Sequence, residues 1–128
     1  MKNTILLLTD FSQNARNAIY YAVSAFHPED YQYILLHCYP RIHTTADVNI
    51  SLSEKMRQES YASLEAEANI IRNHTGLSIQ FEKMAYLGFL NEAVNYVAKE
   101  KHPDLVVMGT KGETGLPAIL LGSHASSL

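Results

Sequence analysis

Residues 108–123 read MGTKGETGLPAILLGS and directly follow the apolar run of residues 104–108, DLVVM. Four glycines fall in this stretch, and a Gly122–Ser123 pair closes it. Glycine weakens regular structure and is kept where backbone turns sharply or comes close to something else. The chemistry such a segment offers is anion binding. Gly109 and Gly112 let backbone N–H groups approach an oxyanion with no Cβ in the way, and Lys111 between them adds a point charge. Gly122–Ser123 stands where a final helix would begin. Free N–H groups at a helix start favour a phosphate, and the Ser123 hydroxyl can cap the helix or bond the ligand. The spacing alone is equally compatible with a glycine-rich surface turn followed by an ordinary N-cap.

Two familiar phosphate motifs are excluded. A P-loop needs G-x4-G-K-[ST], and no glycine here precedes a Lys-Ser or Lys-Thr pair. A dinucleotide fingerprint G-x-G-x-x-G belongs after the first strand of its unit. The first apolar run here is followed by TDFSQNA, which has no glycine.

The elements that must position this segment follow from the apolar pattern. Residues 5–8 are a continuous apolar run, as in a strand buried on both faces of a parallel sheet. Asp10 and Ser12 are both suitable helix N-caps, with Gln13 placed as a capping-box partner of Asp10. Ala15, Ala18, Ile19, Ala22, Val23 and Phe26 then repeat at helical spacing, and Pro28 lies past the end. Residues 31–39 predict a second strand, residues 40–50 a loop, and SLSE at 51–54 the start of a polar helix ending near Asn73 and Gly76. The third strand is predicted at residues 77–81, LSIQF. A helix marked by Leu90, Val94 and Val97 follows, and a fourth strand at 105–108.

Alternating strands and helices predict an open parallel α/β sheet of Rossmann-like type, with helices on both faces. Ligands in such folds sit beyond the carboxyl ends of the strands. Three segments end there: Thr9–Asp10, Cys38–Tyr39 and the stretch from Met108.

The totals bound the rest. The chain has 128 residues, 47% hydrophobic and 18% charged, with a formal net charge of −3. That size suits one domain. No basic run offers a footprint for nucleic acid or an anionic membrane surface. The single cysteine, Cys38, forms no disulfide within the chain, so a reducing, cytoplasmic setting is expected. No stretch approaches the ~20 apolar residues of a membrane helix. His37 and Cys38 are adjacent in a strand and point to opposite faces, so they do not form a nucleophile–base pair. The six histidines show no i, i+4 pair, and no metal site is expected. Glu65 and Glu67 read as a solvated helix face.

With these residues in place, the pattern G-x2-G-x9-G-[ST] after DLVVMGT resembles the hallmark of the universal stress protein family, in its ATP-binding branch. The stretches ILLLTDFSQNA and ILLHCYP are similar to that family's first and second strands. The resemblance spans essentially the whole chain. It implies an adenine-nucleotide-hydrolase-like Rossmann fold that holds ATP, with or without magnesium, along the strand ends. It places Thr9 and Asp10 near the ribose and adenine, the Cys38 backbone at adenine, and Met108 beside the base. Gly109, Lys111 and Gly112 would line the ribose and phosphates, and Gly122, Ser123 and His124 would close over the phosphates. It also implies a homo-oligomer, a dimer, and a nucleotide-dependent regulator or sensor in stress response. The alternatives are a protein-interaction module without nucleotide and a slow ATP hydrolase. No general base, nucleophile or arginine finger stands at the glycine segment, so an enzyme is not expected.

Two features depart from the family pattern. His124 stands where many relatives carry an aliphatic residue. After Ser123 only HASSL remains, whereas relatives continue through a full helix and a fifth strand. The expectation is a single domain over 1–128 with its last strand missing, as in a truncated chain or the first half of a tandem protein, and an unpaired edge on the strand at 105–108.

Overall fold

The computed structural model of the protein describes residues 2–40, 46–109 and 118–121, the side chains of 46–50 and 118–121 excepted. The elements run β1 (Asn3–Leu8), α1 (Gln13–Ala25), β2 (Tyr31–Tyr39), α2 (Ala46–Thr75), β3 (Phe81–Leu87), α3 (Leu90–Lys101), β4 (Leu105–Met108) and β5 (Ala118–Leu121). They form one sheet in the order β3-β2-β1-β4-β5. The first four strands are parallel, and β5 joins β4 antiparallel.

This order explains the apolar runs. The connections from β1 through β3 step one way across the sheet, and the return to β4 passes β1 on the other side. With right-handed crossovers, the helices of the two directions fall on opposite faces. Ile5, Leu7, Tyr33 and Leu35 pack with Ile19 and Val23 of α1 and Leu64 and Ile71 of α2. Leu6, Leu8, Ile34 and Leu36 pack with Ala93, Val94 and Val97 of α3. A strand covered on both sides has no polar position, so β1 reads ILLL instead of alternating. The switch in direction lies between β1 and β4, where this class of sheet opens a crevice.

Four local expectations are corrected. The third strand is Phe81–Leu87 and not residues 77–81. The register begins at Tyr33↔Phe81, and the Ile79 carbonyl is taken by Arg72 Nε at 2.7 Å, which leaves residues 77–80 as approach to the strand. The helix expected from Ser51 begins at Ala46, so the SLSE signature lies inside it. None of residues 51–59 is buried, which is why their pattern is polar and their start was misread. Glu67 is 2% exposed and not solvated. Arg16 of α1 donates to it twice, at 2.7 and 2.8 Å, and ties α1 to α2. Such a bidentate pair keeps the buried carboxylate satisfied. The edge of β4, expected to be open, is paired by β5 from Val107↔Ile119 to Leu105↔Leu121. The apolar AILL of the glycine segment is thus a strand.

Candidate nucleotide site

The turn after β1 is built by short side-chain bonds. Thr9 continues the β1–β2 ladder by one step, its N–H reaching the Leu36 carbonyl at 2.9 Å. Its hydroxyl accepts from the Phe11 N–H at 3.0 Å. Of the two N-caps that the sequence offers, Asp10 and Ser12, the structure uses Ser12, whose side chain accepts from the Ala15 N–H at 3.1 Å, and corrects the capping role of Asp10. Asp10 instead accepts from the Ser12 N–H at 3.0 Å, two residues on, and so orders the turn before the helix. Phe11 takes φ 65°, the left-handed region. For a non-glycine residue this costs on the order of 1–3 kcal/mol and persists only where surrounding contacts enforce it. Here the enforcing contacts are the Thr9 hydroxyl and a ring neighbour, His37, at 4.3 Å between centroids.

Beyond the strand ends lies a cavity of about 210 Å³. The end of β1 supplies Leu8, Thr9 and Asp10; the end of β2 supplies Leu36, His37 and Cys38; Met108 ends β4 and Gly109 follows it. Ala15 of α1 and Leu90 of α3 close the sides. Five of the ten residues predicted from sequence therefore meet here: Thr9, Asp10, Cys38, Met108 and Gly109. The other five, Lys111, Gly112, Gly122, Ser123 and His124, lie outside the described residues. The sequence reading missed His37 as part of this site and Phe11 as the ring behind it. Phe11 carries no signal in sequence, because a left-handed phenylalanine looks like any other. His37 was considered only as a partner of Cys38, although its position at a strand's carboxyl end marked it.

The walls divide by chemistry. Leu8, Leu36, Leu90 and Met108 are apolar and suit the flat faces of a heterocycle. Thr9, Asp10 and His37 gather the polar groups on the β1–β2 side. Burial pushes the Cys38 thiol up from its ordinary value, so it sits in the wall as a neutral group and not as a thiolate nucleophile.

Gly109 has a second reason to be glycine. A Cβ there would stand 2.6 Å from the Asn14 carbonyl oxygen and 2.8 Å from the Ala15 nitrogen. The backbone after β4 thus passes directly against the first turn of α1. The residue shapes the cavity by letting two main chains touch.

The whole chain, residues 1–128, matches the universal stress protein family model. The protein belongs to that family. It is similar to universal stress protein MJ0531 of Methanocaldococcus jannaschii, 32% identical over 94% of this chain and 72% of that protein. Among solved structures, the hypothetical protein MJ0577 superposes with a TM-score of 0.74 at 23% identity, over 99% of this chain and 89% of that one. A universal stress protein in complex with cAMP covers 83% of this chain and 70% of its own at 19% identity, TM-score 0.57. A family member from Arabidopsis thaliana with AMP bound covers 86% and 77% at 19% identity, TM-score 0.59. These likenesses fix the α/β fold.

Proposed function

We propose that this universal stress protein binds an adenine nucleotide, ATP, at the carboxyl ends of β1, β2 and β4, and acts in stress response as a nucleotide-dependent regulator or sensor. The observation that carries this reading is the convergence of Thr9, Asp10, Cys38, Met108 and Gly109 on one cavity from positions up to 100 residues apart. The cavity is smaller than the roughly 300–1,000 Å³ of most small-molecule pockets. It suits the nucleoside end of the ligand, with the base against Leu36, Leu90 and Met108 and the sugar toward Thr9 and Asp10. The triphosphate would extend toward Lys111, Gly112, Gly122, Ser123 and His124, and any magnesium would ride on the phosphates. Two structural neighbours carry cAMP and AMP. They share adenosine and differ in their phosphates, which supports adenosine as the common recognition element.

The proposed protein is a cytoplasmic dimer that binds ATP without turning it over. Denaturing the purified protein and identifying released small molecules by mass spectrometry tests the ligand; ATP or ADP at near one equivalent is expected. Calorimetric titration with ATP then gives affinity, and phosphate release over hours tests turnover. A chain that releases no nucleotide and takes up none would end the binding reading. Gly122→Val, which puts a side chain where the motif brings backbone to phosphate, is expected to weaken ATP more than tenfold, and wild-type affinity in that folded variant would remove the motif from the site.

A further inference from the structure

His37 is a polar group of the cavity that the glycine motif does not contain. Its side chain lies on the α1–α2 face of β2, opposite to that of Cys38. His37 Nδ1 is 2.9 Å from the Thr9 carbonyl oxygen. A carbonyl only accepts, so Nδ1 carries the hydrogen, and in the neutral ring Nε2 is left with a lone pair. The ring is held from one side by Phe11, whose backbone is itself held at φ 65°. Nε2 has no hydrogen-bond partner among the described residues, and the residue is half-buried and among those that line the cavity. A fixed ring, a fixed tautomer and an unused acceptor in a pocket amount to a reading head for a hydrogen-bond donor.

We infer that His37 Nε2 accepts a hydrogen bond from the bound nucleoside, from a ribose hydroxyl or from the exocyclic amine of the base. This rests on the proposed nucleotide site and names a specificity-determining residue within it. The Thr9 carbonyl sets which ring nitrogen faces the ligand, and Phe11 sets the plane of the ring.

Two substitutions separate ligand contact from support of the turn. In His37→Asn the side-chain amide N–H takes the place of Nδ1 and keeps the bond to Thr9, while nothing replaces Nε2. In His37→Gln the amide oxygen takes the place of Nε2. Both variants, checked for an unchanged melting temperature, are titrated with ATP. The expected result is a loss of about tenfold or more for His37→Asn and a smaller loss for His37→Gln. The source of the donor is read by titrating wild type and His37→Asn with 2′-deoxy-ATP, 3′-deoxy-ATP and inosine triphosphate. The analogue that lacks the partnered group binds wild type weakly and is weakened no further by His37→Asn. Wild-type ATP affinity in His37→Asn would overturn the inference and leave the ring as a clip on the Thr9 turn, with the nucleotide site intact. A wild-type protein that binds none of the four nucleotides would overturn the site and this inference together.

Discussion

Both ends of the sheet carry a cavity, and the larger one is at the end where no ligand is proposed. At the amino ends of β2 and β3 about 780 Å³ is bounded by Lys2, Tyr31, Gln32, Gln80, Glu82 and Lys101 among others. At the carboxyl ends the cavity is about 210 Å³. The charged groups around the larger space have settled with one another, and one buried hydroxyl there, that of Tyr33, has no partner among the described residues. Lys101 pairs with Glu82 at 2.9 Å, Lys2 donates to the Pro28 carbonyl at 3.1 Å, and Asp104 clips the Thr4 N–H at 2.8 Å close by. The smaller space is bounded by a glycine pressed on a helix backbone and by a histidine that has one ring nitrogen without a partner among the described residues and rests on a left-handed phenylalanine behind it. Strain and unspent hydrogen-bonding capacity mark a site better than volume does.

The largest effect expected from breaking this contrast comes from Gly109→Ala. The new Cβ meets backbone at 2.6–2.8 Å, and backbone cannot rotate out of the way as a side chain can. Overpacking of this kind costs about 1–3 kcal/mol. Urea unfolding would show it, and ATP affinity should fall by more than tenfold because α1 and the end of β4 must separate. Unchanged stability and affinity would mean that the two chains do not touch, and that the cavity is shaped otherwise.

Tyr33 tests the amino end, which its residue also lines. The ring is 2% exposed, and its hydroxyl has no hydrogen-bond partner among the described residues. An unsatisfied buried hydroxyl costs about 1–3 kcal/mol. Tyr33→Phe is therefore expected to stabilise the protein by about 1 kcal/mol and to leave ATP affinity as it was. A destabilised variant would reveal a partner for the hydroxyl.

The same burial makes stability depend on alkaline pH. It pushes the pKa values of Tyr33, Tyr39 and Cys38 above their ordinary values. The folded state keeps these protons where the unfolded chain has lost them, so stability falls as pH rises. The decline should begin as pH passes the unfolded values, near about 8.5 for cysteine and about 10 for tyrosine. Tyr33→Phe should flatten the tyrosine part of it in a series of thermal melts.

What the sequence revealed and what it hid divides along the same line. The apolar runs of β1 and β4 and the helical spacing of α1 were legible, because burial on both faces dictates composition. The strand Phe81–Leu87 was not, because at the sheet's edge it mixes Glu82 and Lys83 with half-buried Met84 and Tyr86. Nor was β5, whose four apolar residues sit inside a glycine-rich stretch and pair antiparallel in a sheet that otherwise reads as parallel. At the site, Asp10 and Gly109 were found for partly the wrong reasons. The local role expected of Asp10 is an N-cap, and it orders the turn instead; Gly109 is expected beside ribose and phosphates, and its contact with the α1 backbone has no signature because the two segments are distant in sequence.

Asp10→Ala is expected to have a moderate effect. The variant loses the bond to the Ser12 N–H, which at an exposed turn is worth about 0.5–1.5 kcal/mol. Because Ser12 still caps α1, the helix itself should survive in circular dichroism. A fall in ATP affinity beyond the loss of stability would show that the carboxylate also meets the ligand. Equal affinity would confine it to ordering the turn.

The smallest effect should come from the amino end's own ion pair. Lys101 and Glu82 are about half exposed, 41% and 49% at the side chain. The pair raises the Lys101 ammonium above its ordinary value through the Glu82 hydrogen bond, yet both groups are well solvated and screened by salt. Lys101→Ala is accordingly expected to leave the melting temperature and ATP affinity within error. It is the one substitution whose failure would reverse the comparison between the two ends. A large drop in ATP affinity in this variant, with Gly109→Ala binding normally, would move the ligand to the larger cavity and show that the settled pairs there are a site waiting to be opened.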